Sequence, residues 1–89
     1  MKQLQITITG KVQGVSFRAS AKEQADRLGI SGFARNEPDG SVYIEAEGPA
    51  PKLDQFLSWC NSGSEMAQVQ SVETDIEDSS GHQSFAIRW

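Results

Sequence analysis

The stretch that decides the fold of this chain is Leu4-Gln5-Ile6-Thr7-Ile8-Thr9-Gly10-Lys11-Val12-Gln13-Gly14-Val15-Ser16-Phe17-Arg18. Its first part alternates apolar and polar side chains, which predicts a β-strand with one buried face. A turn that contains Gly10 and Gly14 follows. The stretch ends on the first residues of a predicted helix, so a strand leads through a glycine-containing loop into a helix N-terminus.

The helix is predicted from Phe17 to Leu28, because apolar residues recur there at helical spacing, and Gly29 is a typical stop signal. Backbone N–H groups at a helix N-terminus lack intrahelical acceptors, and the helix macrodipole adds positive potential there. Arg18, in the first turn, adds a planar set of donors that matches phosphate oxygens. The sequence therefore predicts a binding site for a small dianion at the start of this helix.

The rest of the chain adds further strands and one more helix. Residues 31–36 and 42–47 predict two strands, and the turn-forming sequence Glu37-Pro38-Asp39-Gly40 between them predicts a hairpin. A strand is expected near residues 68–76. A last strand is predicted from Phe85 onward, because apolar side chains alternate with other residues there and Trp89 continues the alternation. The second helix is predicted to begin near Pro51, a residue that suits a first helical turn, and to end in Asn61-Ser62-Gly63-Ser64. Its apolar stripe consists of Leu53, Phe56, Leu57 and Cys60.

The predicted order is β-α-β-β-α-β, with the last strand split in two. Each helix has one apolar stripe, so both must cover the same face of a single sheet. This predicts an α+β, ferredoxin-like sandwich, in which a mostly antiparallel sheet carries two helices on one face. We expect residues 1–89 to form a single domain, because a chain of 89 residues has no room for a second core.

Composition narrows the class of partner. The net charge of −4 argues against nucleic acid, whose binders depend on basic surface, although one local pocket can still be positive. No apolar run approaches the ~20 residues that span a bilayer. Residues 1–4 also lack the apolar stretch of a signal peptide. We therefore expect a cytoplasmic protein without membrane contact, and by default a monomer.

The chain has one cysteine, Cys60, and one histidine, His82. A single cysteine excludes an internal disulfide, and Cys60 is expected to be a small core residue on its helix. His82 belongs to a polar segment, residues 77–82, that is expected to be a loop. One Cys and one His cannot form the usual zinc set, and a Ser–His–Asp triad through His82 lacks a nucleophile elbow. An acidic, solvated surface is expected from Glu23, Asp26, Glu45, Glu47, Asp75, Glu77 and Asp78.

Asn36 ends the second predicted strand beside the turn, and by itself it would be a turn-forming residue. Two motifs change that interpretation. The segments Gly10-x-Val12-Gln13-Gly14-Val15-x-Phe17-Arg18 and Gly32-Phe33-Ala34-Arg35-Asn36-x-x-Asp39-Gly40-Ser41-Val42, with Gly48 beyond, resemble the two signatures of the acylphosphatase family. The resemblance covers essentially the whole chain, and the motifs have the order and spacing of that family.

The resemblance implies an acylphosphatase-like domain that hydrolyses acyl phosphates to a carboxylate and inorganic phosphate, without a metal or an organic cofactor. Inorganic phosphate or sulfate is implied as a ligand of the same site. Two catalytic residues are implied: Arg18 would grip the phosphoryl group, and Asn36 would hold the attacking water through its side-chain amide. The backbone N–H groups implied to bind the phosphoryl oxygens belong to Gln13, Gly14, Val15, Ser16, Phe17 and Arg18.

Three positions depart from the family's usual pattern. Ala21 lies where threonine is common, an exchange that could lower activity. Ser64 lies where proline is frequent, and Ser16 occupies a variable position in the loop. None of these departures touches Arg18 or Asn36, which favours an active enzyme.

Two alternatives stay open. The first is a binding module on the same fold, because Gly32-Phe33-Ala34 resembles part of an RNA-recognition motif, whose aromatic residues stack bases on the sheet. The acidic charge argues against it, as does a sheet face on which Tyr43 is the one expected aromatic residue. The second is a carbamoyl-phosphate-handling domain, as found at the start of larger maturation proteins. The end of the chain at Trp89 favours a freestanding enzyme.

Overall fold

The computed structural model describes residues 2–78 and 81–88 of the chain. The elements follow the predicted order, and β5 is the second part of the split last strand. Trp89, predicted to be in phase with β5, lies outside the described residues, as do Ser79 and Ser80 of the predicted polar loop. The elements are β1 (Lys2–Lys11), α1 (Phe17–Leu28), β2 (Ser31–Asn36), β3 (Val42–Glu47), α2 (Ala50–Ser62), β4 (Gln68–Asp78) and β5 (Phe85–Arg88).

All five strands form one sheet in the order β4-β1-β3-β2-β5. β1 pairs antiparallel with both β3 and β4, and β2 pairs antiparallel with β3. β5 pairs with β2 in parallel. The predicted ferredoxin-like, mostly antiparallel sheet is therefore confirmed, and β5 adds a parallel strand at one edge.

The core lies between the sheet and the two helices. Inward-facing residues of neighbouring strands lie side by side, as Ile44 does between Ile6 and Ala34. The predicted stripe of α1 is confirmed, since Phe17, Ala21, Ala25 and Leu28 are all buried. In α2, Leu53, Phe56 and Cys60 are buried, and Leu57 is partly buried against the same core. Burial raises the pKa of the Cys60 thiol to about 12, as fits a core residue.

The opposite face of the sheet differs from the sequence prediction. Glu47 is only 4% exposed, and the side chain of Glu45 is largely buried, so neither belongs to the solvated acidic surface. The reason is that residues 81 and 82 lie against this face. The backbone N–H of Gly81 donates to Glu47 Oε1 (3.3 Å), and His82 Nε2 lies 3.1 Å from Glu45 Oε1. The other acidic residues of the predicted surface are exposed: Glu23, Asp26, Asp75, Glu77 and Asp78.

Phe33 and Tyr43 both lie on the outer face of the sheet, the face opposite the helices. The prediction that Tyr43 is the one aromatic residue on that face is therefore wrong. The ring of Phe33 is nevertheless only 4% exposed. The Arg88 guanidinium lies 3.9 Å from its centroid, and the His82 ring packs edge-on against it. A covered ring cannot stack on a nucleic-acid base, so Phe33 does not offer the RNA-binding alternative a stacking platform.

Two local predictions are also wrong. Gly10 belongs to β1 rather than to the turn, at a register shift in the pairing of β1 with β4. Glu77 and Asp78 belong to β4 rather than to a loop, because they pair with the first residues of β1. Within residues 2–78 and 81–88, neither helix has the length and apolar character to cross a membrane.

Candidate active site

The loop between β1 and α1 is fixed at both ends by buried side chains. Val12 is 1% exposed and Phe17 is 2% exposed. The ring of Phe17 packs on that of Trp59 of α2, with centroids 5.1 Å apart. Between these anchors, Gly14 (φ 72°) and Ser16 (φ 60°) adopt left-handed backbone conformations. Left-handed residues next to helical ones turn successive N–H groups to one side, as in anion-binding concavities.

The N-terminus of α1 continues this loop. The first intrahelical bond runs from the N–H of Ser20 to the carbonyl of Ser16 (3.0 Å). Ser16 makes no side-chain capping bond, and the first turn contains no acidic residue. The first N–H groups of α1 therefore have no intrahelical acceptor, and the macrodipole makes this end of the helix positive. The combination suits a phosphoryl group.

A cleft of about 230 Å³ lies at this helix end. Its walls come from the β1–α1 loop, the first turn of α1, the end of β2 and the edge strand β5. The cleft thus brings Arg18 and Asn36, predicted from motifs far apart in sequence, to one place. The lining residues are Val12, Gly14, Ser16, Phe17, Arg18, Ala19, Asn36 and Ile87.

Arg18 is half-buried in the first turn of α1. Its Nη1 donates a hydrogen bond to the backbone carbonyl of Arg88 in β5 (2.8 Å). A guanidinium presents its N–H donors in a fixed planar fork. The bond to β5 therefore sets the orientation of that fork beside the cleft.

Asn36 is the last residue of β2, opposite Val42 of β3. The side chain of Gln13 connects the turn after Asn36 to the β1–α1 loop, because its Nε2 donates to the carbonyls of Glu37 (2.8 Å) and Ser41 (2.9 Å). These bonds hold the two sides of the cleft in register. The resemblance implies a role for the backbone N–H of Gln13, and the structure adds two hydrogen bonds from its side chain that support the cleft.

The turn itself is further braced by Asp39. Its Oδ1 accepts from the hydroxyl (2.6 Å) and the backbone N–H (2.9 Å) of Ser41. These two bonds hold the pKa of the Asp39 carboxyl below its ordinary value. The turn that follows Asn36 is therefore a rigid support for the cleft.

Three arginines lie near this end of the sheet on a chain whose net charge is −4. Arg35, directly before Asn36, pairs in register with Arg88, whose carbonyl holds Arg18. Arg35 Nε also forms an ion pair with Glu37 Oε1 (2.6 Å). The guanidinium groups of Arg35 and Arg88 lie over the rings of Tyr43 and Phe33 on the outer face of the sheet, so Arg18 is the one of the three that lines the cleft.

The described part of the chain contains no group of three or more His, Cys, Asp and Glu residues that could hold a metal ion. His82 lies on the outer face of the sheet, against Glu45 and Phe33, and contributes nothing to the lining of the cleft. Independence of metals remains a prediction that requires a direct test.

A comparison with known families gives a match to the acylphosphatase model over residues 4–87. The chain belongs to the acylphosphatase family. An acylphosphatase of Nocardioides sp. is 45% identical over 83 residues, which cover 93% of this chain and 84% of that protein. The crystal structure of the Bacillus subtilis acylphosphatase matches with a TM-score of 0.96 at 36% identity, over 100% of both chains.

A more distant similarity concerns the fold. The crystal structure of HypF from T. kodakarensis matches with a TM-score of 0.87, at 23% identity. The match covers 100% of this chain but 12% of that protein. At this identity the likeness shows a shared fold alone.

The predictions of the acylphosphatase family and of its fold are thus confirmed. The roles of Arg18, of Asn36 and of the loop N–H groups stay predictions. Gln13 and Val15 belong to the predicted loop but do not line the cleft. The departing residue Ala21 is fully buried in the core, and Ser16 is exposed at the cleft.

The sequence did not indicate three of the residues that line the cleft, Val12, Ala19 and Ile87. Val12 belongs to the first motif and Ala19 directly follows it, so proximity along the chain could have suggested both as lining residues. Ile87 carried no such signal, because β5 reaches the cleft only through its pairing with β2.

Proposed function

We propose that this chain hydrolyses acyl phosphates in the cleft at the N-terminus of α1, giving a carboxylate and inorganic phosphate. The observation that carries the proposal is the convergence of three kinds of group on one cleft. These are the N-terminus of α1, an arginine (Arg18) and an asparagine (Asn36), all of which contribute to the lining of the cleft.

The phosphoryl group would be held by the backbone N–H groups of residues 13–18 and by Arg18. In phosphoryl transfer, negative charge is spread over the three equatorial oxygens of the transition state. Fixed N–H donors and a guanidinium stabilise that charge without reorganising at the moment of reaction. The buried anchors Val12 and Phe17 keep the donors in place.

Asn36 would hold the attacking water. A neutral amide does not take up a proton usefully at pH 7, so we assign Asn36 a positioning role rather than that of a base. The water oxygen forms a bond to phosphorus as the bond from phosphorus to the acyl oxygen breaks. The proton of the water passes to an oxygen of the phosphoryl group itself.

The leaving group needs no acid. Carboxylic acids have pKa values of about 4, so at neutral pH the acyl group departs as a carboxylate that keeps the bonding electron pair. The chemistry therefore requires positioning and charge stabilisation, which are what the residues of this cleft can supply.

The experiment that tests this proposal is hydrolysis of benzoyl phosphate by the purified chain, with and without EDTA. We expect turnover that EDTA does not change, and competitive inhibition by inorganic phosphate, because the product fills the same site. A folded protein that fails to hydrolyse benzoyl phosphate would contradict the proposal. Turnover lost in EDTA and restored by a divalent cation would contradict its metal-independent form.

We also propose that residues 1–89 form a single domain that acts as a monomer in the cytoplasm, without nucleic-acid or membrane partners. These statements rest on the sequence. Sedimentation velocity of the purified protein measures the oligomeric state directly, and a dimer at micromolar concentration would refute the proposed monomer.

A further inference from the structure

Ser64 follows the C-terminus of α2 and lies against the β1–α1 loop. Its partner in that loop is Val15, which is 49 positions away in sequence. The hydroxyl of Ser64 donates a hydrogen bond to the carbonyl oxygen of Val15 (2.8 Å), and Ser64 is only 7% exposed. We propose that Ser64 is a positioning residue for the phosphate-binding loop. Its hydroxyl holds the peptide between Val15 and Ser16 with the N–H directed to the cleft. The inference rests on the proposed role of the loop.

The orientation of this peptide decides which group meets the phosphoryl oxygens. A peptide unit is planar and trans, so the carbonyl of Val15 and the N–H of Ser16 point in opposite directions. With the carbonyl bonded to Ser64, the N–H is turned the other way, toward the cleft that Ser16 lines. If the peptide rotated, a carbonyl oxygen would face the anion and repel it.

The backbone at Ser16 needs outside support. Its φ of 60° lies in the left-handed region, which is unfavourable for residues other than glycine. Strained backbone of this kind persists at functional sites only where the surroundings determine it. The bond from Ser64 supplies such a constraint directly before the strained residue.

Ser64 can act as a constraint because its own segment is rigid. The N–H of Gly63 donates to the carbonyl of Trp59 (2.7 Å), and the N–H of Ala67 donates to the carbonyl of Ser64 (2.9 Å). Gly63 also packs so closely on the first residue of α1 that a Cβ there would lie 2.8 Å from Phe17 Cε2. The hydroxyl of Ser64 is therefore held by backbone that contacts the residue directly after Ser16.

The test compares Ser64→Ala with Ser64→Thr, which keeps a hydroxyl, and with Ser58→Ala, which removes an exposed hydroxyl from α2. We expect kcat/KM for benzoyl phosphate to fall about fivefold in Ser64→Ala, which corresponds to the loss of one hydrogen bond. The inhibition constant of inorganic phosphate should rise by a similar factor. Ser64→Thr should restore both values, and Ser58→Ala should leave them unchanged.

A second readout reports on the peptide itself. In an NMR titration of wild type with inorganic phosphate, the Ser16 amide should show one of the larger shifts. At saturating phosphate that shift should be smaller in Ser64→Ala. If Ser64→Ala does not fold, Ser64→Cys takes its place, because a thiol of similar shape is a weak donor, and the same losses are expected.

Wild-type kinetics and phosphate affinity in Ser64→Ala, with or without a lower Tm, would show that Ser64 only stabilises the fold and would overturn the inference. A wild type that binds phosphate but does not hydrolyse benzoyl phosphate would contradict the proposed function. The comparison of phosphate affinities would in that case still test Ser64.

Discussion

Replacing Gln13 with alanine should destabilise the fold and loosen the cleft together. Nε2 of Gln13 donates to two backbone carbonyls of the turn after Asn36, those of Glu37 and Ser41, at 2.8 and 2.9 Å. The same side chain is part of the β1–α1 loop. It therefore connects the proposed phosphate-binding side of the cleft to the side that carries Asn36.

The magnitude follows from these two bonds. Each contributes about 0.5–1.5 kcal/mol to the free energy of unfolding. Gln13 is half-buried, so water partly satisfies the two carbonyls when the amide is removed, and we expect a total loss of about 1–2 kcal/mol. For a domain of this size, each kcal/mol lowers Tm by roughly 4–8 °C, so the variant should melt about 4–16 °C below wild type.

The assay is urea unfolding together with benzoyl phosphate kinetics on the same preparations. Gln13→Glu is the matched variant, because a carboxylate of the same shape cannot donate to a carbonyl and should lose as much stability. Gln55→Ala, an exposed position on α2, is the control and should change neither property. Gln13→Ala should also lower kcat/KM, because a small misplacement of catalytic groups costs up to about 100-fold.

An unfolding free energy within about 0.3 kcal/mol of wild type in both Gln13 variants would refute the reasoning, because the two bonds would then contribute nothing net. A loss of stability with unchanged kinetics would show that Gln13 supports the fold without holding the cleft.

Three further predictions concern single positions. Asn36→Ala should lower kcat about 100-fold while KM changes little, because the amide acts on the water; a change confined to KM would contradict this role. Ser16→Gly should raise the free energy of unfolding by about 1 kcal/mol, because glycine adopts φ 60° without strain; an unchanged or lower value would show that Ser16 is unstrained. Burial raises the pKa of Glu45, but hydrogen bonds from His82 and Tyr43 outweigh it, so its pKa lies below the ordinary 4.5. The stability from this carboxylate is therefore present above about pH 4.5 and lost as the pH falls further. In urea unfolding at a series of pH values, the free energy of unfolding of Glu45→Gln should fall less steeply below about pH 4.5 than that of wild type. Parallel curves for the two proteins would argue against this role of Glu45.

Much of the fold could be predicted because its signals are local. The alternation in β1, the helical spacing from Phe17 and the turn chemistry of residues 37–40 each report on neighbours in sequence. Those patterns placed both helices on one face of the sheet, where the structure has them. The motif residues of the loop are contiguous, which is why four of the six predicted loop residues line one wall of the cleft.

What could not be predicted depends on contacts between distant segments. The alternation of Glu45 and Glu47 with apolar residues is typical of exposed positions, whereas residues 81 and 82, which are distant in sequence, pack against both carboxylates. Ile87 lines the cleft because β5 pairs with β2. Ser64 carried no signal for its bond to the loop, since residue patterns do not report which carbonyl a hydroxyl reaches.

The central claim is that Arg18 and the start of α1 form the phosphoryl site, and the comparison of Arg18→Ala with Arg27→Ala tests it most directly. Arg27 lies in the last turn of the same helix, so its loss is the matched control. The measurement is the rise in Tm with inorganic phosphate together with kcat/KM for benzoyl phosphate. We predict that Arg18→Ala stays folded, that it loses most of the phosphate-induced rise in Tm, and that its kcat/KM is lower on the order of 100–1,000-fold. Arg27→Ala should keep the wild-type rise in Tm and the wild-type kcat/KM. Retention of phosphate binding and turnover in a folded Arg18→Ala would contradict the account.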